Sequence, residues 1–99
     1  MNMDSGDFTG HIEQRENIAR VHNSIAPIIA RFFHEKGVGV QFRVDELRRY
    51  VGAHSKIALA PDSAGRIMRD MRSRKWIGYK VVNLRASLYL ITSLGERTP

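Results

Sequence analysis

Ninety-nine residues make room for one small domain and not two. The composition, 42% hydrophobic and 26% charged, is that of an ordinary folded domain. No apolar run is long enough to cross a bilayer, and the lack of cysteine excludes disulfides and thiolate metal sites and fits a reducing, cytoplasmic setting.

The net charge of +6 is unevenly placed. Residues 1–22 carry Asp4, Asp7, Glu13 and Glu16 against Arg15 and Arg20, a balance of −2, which leaves +8 for the rest. Between residues 62 and 85, seven Lys/Arg face two Asp, a local balance of +5. Clustering of one sign points to a polyanionic partner, nucleic acid before any other. A membrane surface would need bulky apolar residues left free to insert, and the apolar stripes here are committed to a core. The first residues are acidic and lack the basic start of a secretory leader.

Residues 1–10 are small and polar apart from Phe8 and read as a loosely held tail. Residues 11–22 can form an accessory helix, with Ile12, Ile18, Ala19 and Val21 as a thin apolar set suited to packing against the domain edge or against a second copy. The first core helix is expected over 24–36, capped by Asn23 or Ser24, with Pro27 in its first turn, where a missing N–H does no harm. Its stripe is Ile25, Ile28, Ile29, Phe32 and Phe33, and Gly37 ends it. A short extended piece follows over 38–43, then a short helix over 44–51 with Val44, Leu47 and Val51 on one face and Gly52 as its stop. Residues 52–61 read as a long turn, with Ile57 and Leu59 tucked inward.

The stretch 60–75, APDSAGRIMRDMRSRK, predicts one amphipathic helix. Asp62 or Ser63 caps it, and Ala64, Ile67, Met68 and Met71 recur at helical spacing on one face. Arg66, Arg69, Asp70 and Ser73 fall opposite, with Arg72 and Arg74 on the flanks. Trp76 to Val82 is rich in β-formers, 83–87 is a polar turn, and 88–92 is a second strand, so the two make a hairpin.

Helix, short strand, short helix, turn, arginine-rich helix and hairpin come in the order of a winged helix-turn-helix domain, which the chain resembles over residues 24–95. FRVDELRRYVG is similar to that family's second-helix motif, PDSAGRIMRDMRSRKWIGY resembles its recognition helix running into the first wing strand, and LYLITSLG resembles the exit of the second wing strand. Arg43 departs from the pattern, because arginine cannot accept a cap bond, and Asp45 is the substitute. The resemblance implies an α+β fold: a three-helix core with a C-terminal hairpin wing over residues 23–99, preceded by the tail and accessory helix of 1–22. It also implies that the arginine-rich helix lies in the major groove of double-stranded DNA. Ser63, Arg66, Arg69, Asp70 and Ser73 would then face bases or flanking phosphates, and Lys56, Arg72, Lys80 and Arg85 the backbone.

No catalytic constellation competes with that expectation. His11, His22, His34 and His54 show no metal-ligand spacing, Asp45 and Glu46 diverge on a helix, and GVGV at 37–40 lacks the rest of a phosphate loop. The reading is therefore a non-enzymatic DNA-binding regulator, cytoplasmic or on the nucleoid, without cofactor or evident small-molecule ligand, and a homodimer through residues 11–22. The alternative is a winged-helix module that binds protein, or an accessory factor of a replication or recombination assembly.

Overall fold

In the computed structural model the backbone is described for residues 2–57 and 59–95, and side chains for 19–57 and 59–95. The order is α1 (Asn2–Lys36), β1 (Gln41–Arg43), α2 (Val44–His54), α3 (Ser63–Ser73), β2 (Gly78–Asn83) and β3 (Leu88–Ser93). The class is α+β, three helices with one antiparallel three-stranded sheet of order β1-β3-β2.

The expected tail, accessory helix and capped core helix are one helix. Asn23 and Ser24 are exposed in its interior and start nothing, and Pro27 lies well inside. The apolar register explains the continuity, since Val21, Ile25, Ile29 and Phe32 keep their spacing across the expected break and pack into the core. Of the two roles the sequence leaves open for this set, Val21 takes packing against the domain edge. The side chains of Ile12 and Ile18 lie outside the described residues. Gly37 does end α1, at φ +92°, with its N–H donating to the Phe33 carbonyl at 2.9 Å.

The extended piece is a true strand, because β1 pairs antiparallel with β3 through Phe42 and Tyr89. Phe42 is buried, while Gln41 and Arg43 point out, as the two-residue period requires. At the start of α2 it is Glu46, not Asp45, that makes good the missing cap. Its carboxylate accepts the Arg43 N–H at 3.3 Å and the Lys36 ammonium at 2.9 Å, tying the end of α1 to the start of α2. The Lys36 bond, ahead of burial, holds the Glu46 carboxyl below its ordinary range. Gly52 does not stop α2, which runs to His54, and the turn shortens accordingly. Leu59 tucks against the core, but Ile57 stays 43% exposed.

Phe32, Leu47, Ile67, Met71 and Ile91 belong to one buried cluster, as their stripes predicted. Phe32, Phe33 and Phe42 meet edge to face at its centre, and Phe33 leans on Tyr79 of the hairpin. α3 ends at Ser73 rather than Lys75. Lys75 takes the left-handed conformation at φ 64°, its N–H donates to the Arg72 carbonyl, and the Trp76 N–H donates to the Met71 carbonyl. That bond pair is the glycine-type helix stop, made here without glycine. Trp76 and Ile77 thus form the link to β2 instead of its first residues. The chain returns past this link at Gly95, where a Cβ would sit 1.8 Å from the Trp76 carbonyl oxygen.

Candidate nucleic-acid interface

α3 is seated deeply because its first turn is small. Ser63, Ala64 and Gly65 are all buried, and a Cβ on Gly65 would stand 3.9 Å from Val44 of α2. Ile67, Met68 and Met71 continue the buried face. What remains outside is Arg66, Arg69, Arg72 and Ser73, and Arg66, Arg69 and Ser73 form a stripe at spacings of three and four residues.

Arg66 and Arg69 are exposed, and among the described residues neither makes an ion pair. Ser73 is exposed with its hydroxyl donating to the Asp70 carbonyl at 2.7 Å. Arg72 lays its guanidinium over the Tyr79 ring, 4.5 Å from the centroid, which clamps the end of α3 to the hairpin. Burial raises the pKa of the Tyr79 phenol. Lys80 is exposed on β2, Arg85 is exposed in the hairpin turn, and Lys56 is exposed in the link before α3.

Two predicted site residues are placed differently. Ser63 is 5% exposed and has no face to offer DNA. It stands four residues before Ile67, so helical spacing already puts it on the buried stripe. Asp70 turns toward α1: its Oδ2 accepts from His22 Nε2 at 2.6 Å and from Arg74 Nε at 2.8 Å. Asp70 makes no ion pair with Arg66, four residues earlier on the same helix. Burial pushes the Asp70 carboxyl up, but the hydrogen bonds from His22 and Arg74 together outweigh it and hold the group below its ordinary range. A carboxylate only accepts, so His22 Nε2 carries the proton in this contact.

His22 and Trp76 escaped the sequence reading as site residues. His22 meets Asp70 across 48 positions and sets its ring edge-on to Trp76, and no local pattern announces a contact of that range. The guanidinium of Arg74 lies 5.2 Å from the Trp76 ring centre. Together these side chains border a cleft of about 500 Å³ between α1 and α3.

Among the described residues no three His, Asp or Glu side chains gather as a metal site, and no helix is long and apolar enough to cross a membrane. The chain matches no protein-family model, no curated protein and no solved structure at a significant level.

Proposed function

We propose that the chain is a winged helix-turn-helix protein that binds double-stranded DNA, with α3 in the major groove and the β2–β3 hairpin as wing, and that it serves transcriptional control. One observation carries this reading. α3 buries one face in the core and shows Arg66 and Arg69 on the other, with no carboxylate paired to either among the described residues. An unpaired guanidinium presents a rigid fork of donors, which matches the O6 and N7 acceptors of guanine or two phosphate oxygens. Arg72, Lys80, Arg85 and Lys56 add exposed positive charge around that helix. The order of elements, with β1 on the free edge of β3, is also the layout the resemblance calls for.

A gel-shift series with random-sequence duplex across a range of salt tests it. The logarithm of affinity should fall linearly with the logarithm of salt, with a slope of several units, because each phosphate contact releases counterions. Indifference to duplex at micromolar protein and low salt would overturn the reading.

The second reading, a protein-docking module, has one observation in its favour. The hairpin exposes Val81, Val82 and Leu84, the last by 73%. Binding that ignores salt, or that Leu84→Ser abolishes while duplex affinity is untouched, would favour it. Pairing of two chains through residues 11–22 of α1 belongs to the first reading. The mass of the full chain in solution tests that part, and a monomer at high concentration would remove it.

A further inference from the structure

The cleft between α1 and α3 has the make-up of a ligand site, and it shares only Arg66 with the face proposed to meet DNA. Its volume, about 500 Å³, lies in the range of pockets that hold small organic molecules. Its apolar lining comes from Ala19 of α1, Ile67 of α3 and Trp76 beyond α3. Its polar lining includes Arg66, Asp70 and His22.

The charges select the ligand. Asp70 is already occupied by His22 and Arg74, so it offers little to an incoming cation, which would also face Arg66. Arg66 has no carboxylate among the described residues, and its fork takes a carboxylate through two parallel hydrogen bonds. A guanidinium with no carboxylate partner among the described residues, beside apolar walls and an aromatic ring, fits a molecule with one anionic end and a flat apolar body. A phosphorylated ligand, with its higher charge, would need more cationic donors than Arg66 offers, since Arg74 and His22, which also line the cleft, are engaged by Asp70.

We propose that the cleft binds a small planar carboxylic acid, its carboxylate on the Arg66 guanidinium and its ring against Ile67 and Trp76. Bound there, the acid holds the same guanidinium that α3 would present to DNA, so acid and DNA exclude each other at Arg66. That antagonism rests on the DNA-binding reading; the binding of the acid does not.

Trp76 is the chain's single tryptophan, so its fluorescence reports the cleft directly. Benzoate, benzyl alcohol and acetate are each titrated into the full chain. Benzoate should saturate the signal, and benzyl alcohol, which lacks the charge, and acetate, which lacks the ring, should each bind about tenfold more weakly or worse. Arg66→Gln changes an exposed side chain and should weaken benzoate about tenfold with the melting point unmoved. Ala19→Phe fills the cleft without altering charge and should abolish the response, while Arg48→Gln, outside the cleft, should leave it intact. No saturation by benzoate, an equal response to benzyl alcohol, or indifference to both cleft variants would each overturn the proposal. Gel shifts with and without saturating benzoate then separate the two readings. Weakened DNA binding supports the antagonism, unchanged DNA binding removes the antagonism alone, and absence of any DNA binding removes the DNA reading while the fluorescence result still decides the site.

Discussion

α2 and α3 are both eleven residues long and both carry arginines, but they use their charges differently. In α2 three of the four Asp, Glu and Arg side chains are ion-paired, and Arg49 alone is not, among the described residues. Arg48 sits 3.3 Å from Asp45, and Glu46 takes Lys36 and the Arg43 N–H. Its two acidic residues stand in the first turn, where they complement the helix dipole. α2 buries only Leu47 and Val51, so its surface groups help to fasten it. α3 has no acid in its first turn and buries six residues, three of them small. It is held by packing, and Arg66 and Arg69 are left without an ion pair among the described residues. α2 carries two arginines and α3 three, and the partners of those arginines, more than their number, separate a structural surface from a candidate binding one.

The largest test of that contrast lies in the core. Leu47→Ala in α2 and Met71→Ala in α3 should each cost about 2–5 kcal/mol, and Phe32→Ala in α1 about 3–5 kcal/mol, close to the whole stability of a small domain. Denaturant midpoints measure this. If α3 depends on packing, Met71→Ala must cost at least as much as Leu47→Ala, and a midpoint shifted no more than by a surface change would break the comparison.

Function should divide the helices the other way. Arg66→Ala or Arg69→Ala should lose about 1–3 kcal/mol on a preferred duplex and blur discrimination at one or two base pairs. Arg85→Ala should instead weaken all sequences alike and lower the salt slope by about one unit. Arg48→Ala should leave duplex affinity unchanged and cost at most about 1 kcal/mol of stability, as exposed ion pairs do. Equal DNA effects at Arg48 and Arg66 would erase the distinction drawn here.

Gly65→Ala sharpens the packing half of the argument. The new methyl would meet Arg69 at 3.6 Å and Val44 at 3.9 Å, ordinary contact distances. The helix should gain about 0.5–1 kcal/mol from the better helix former. A loss would mean that α2 and α3 need the glycine for closeness and not merely tolerate it.

The smallest effect is acid sensitivity. Glu46 and Asp70 both have folded pKa values below their ordinary ones, for the partners named above. A depressed carboxyl contributes stability that is complete above its unfolded value and is lost as pH falls through the folded one. Both groups are more than a third exposed, so solvent damps the contribution. Melting curves from neutral pH down through about pH 4 and below should fall less steeply for Glu46→Gln and for Asp70→Asn than for the unaltered chain. A slope identical to the unaltered chain would show that the α1 contacts of both helices are unimportant.

Periodicity made most of the fold legible. The stripes through Phe32, Leu47, Ile67, Met71 and Ile91 name the core without a structure, because burial follows the helix and strand periods directly. Pairing over distance was not legible. Nothing near Phe42 announces Tyr89, and nothing near Asp70 announces His22. Signals that usually mark ends also misled. Asn23, Ser24 and Pro27 look like a helix start but sit where the apolar register runs on, while Lys75 closes α3 in a conformation that normally advertises itself as glycine. At the candidate interface Arg66 and Arg69 were legible by face, whereas the position of Asp70 depends on an element 48 residues upstream.

The unbroken course of α1 from Asn2 to Lys36 makes it a shaft. An α-helix turns about 100° and rises about 1.5 Å per residue. Whatever the upstream half of α1 engages is therefore locked in angular phase with the downstream half, which His22 and Phe32 fix to the rest of the fold. One residue inserted just before Ala19 would swing the upstream half by about 100°, whereas seven would return it to within about 20° of its starting angle. Any property shared between the two ends should oscillate with the length of such an insertion, failing at one or two residues and recovering at seven. A flexible tether would give no such rhythm.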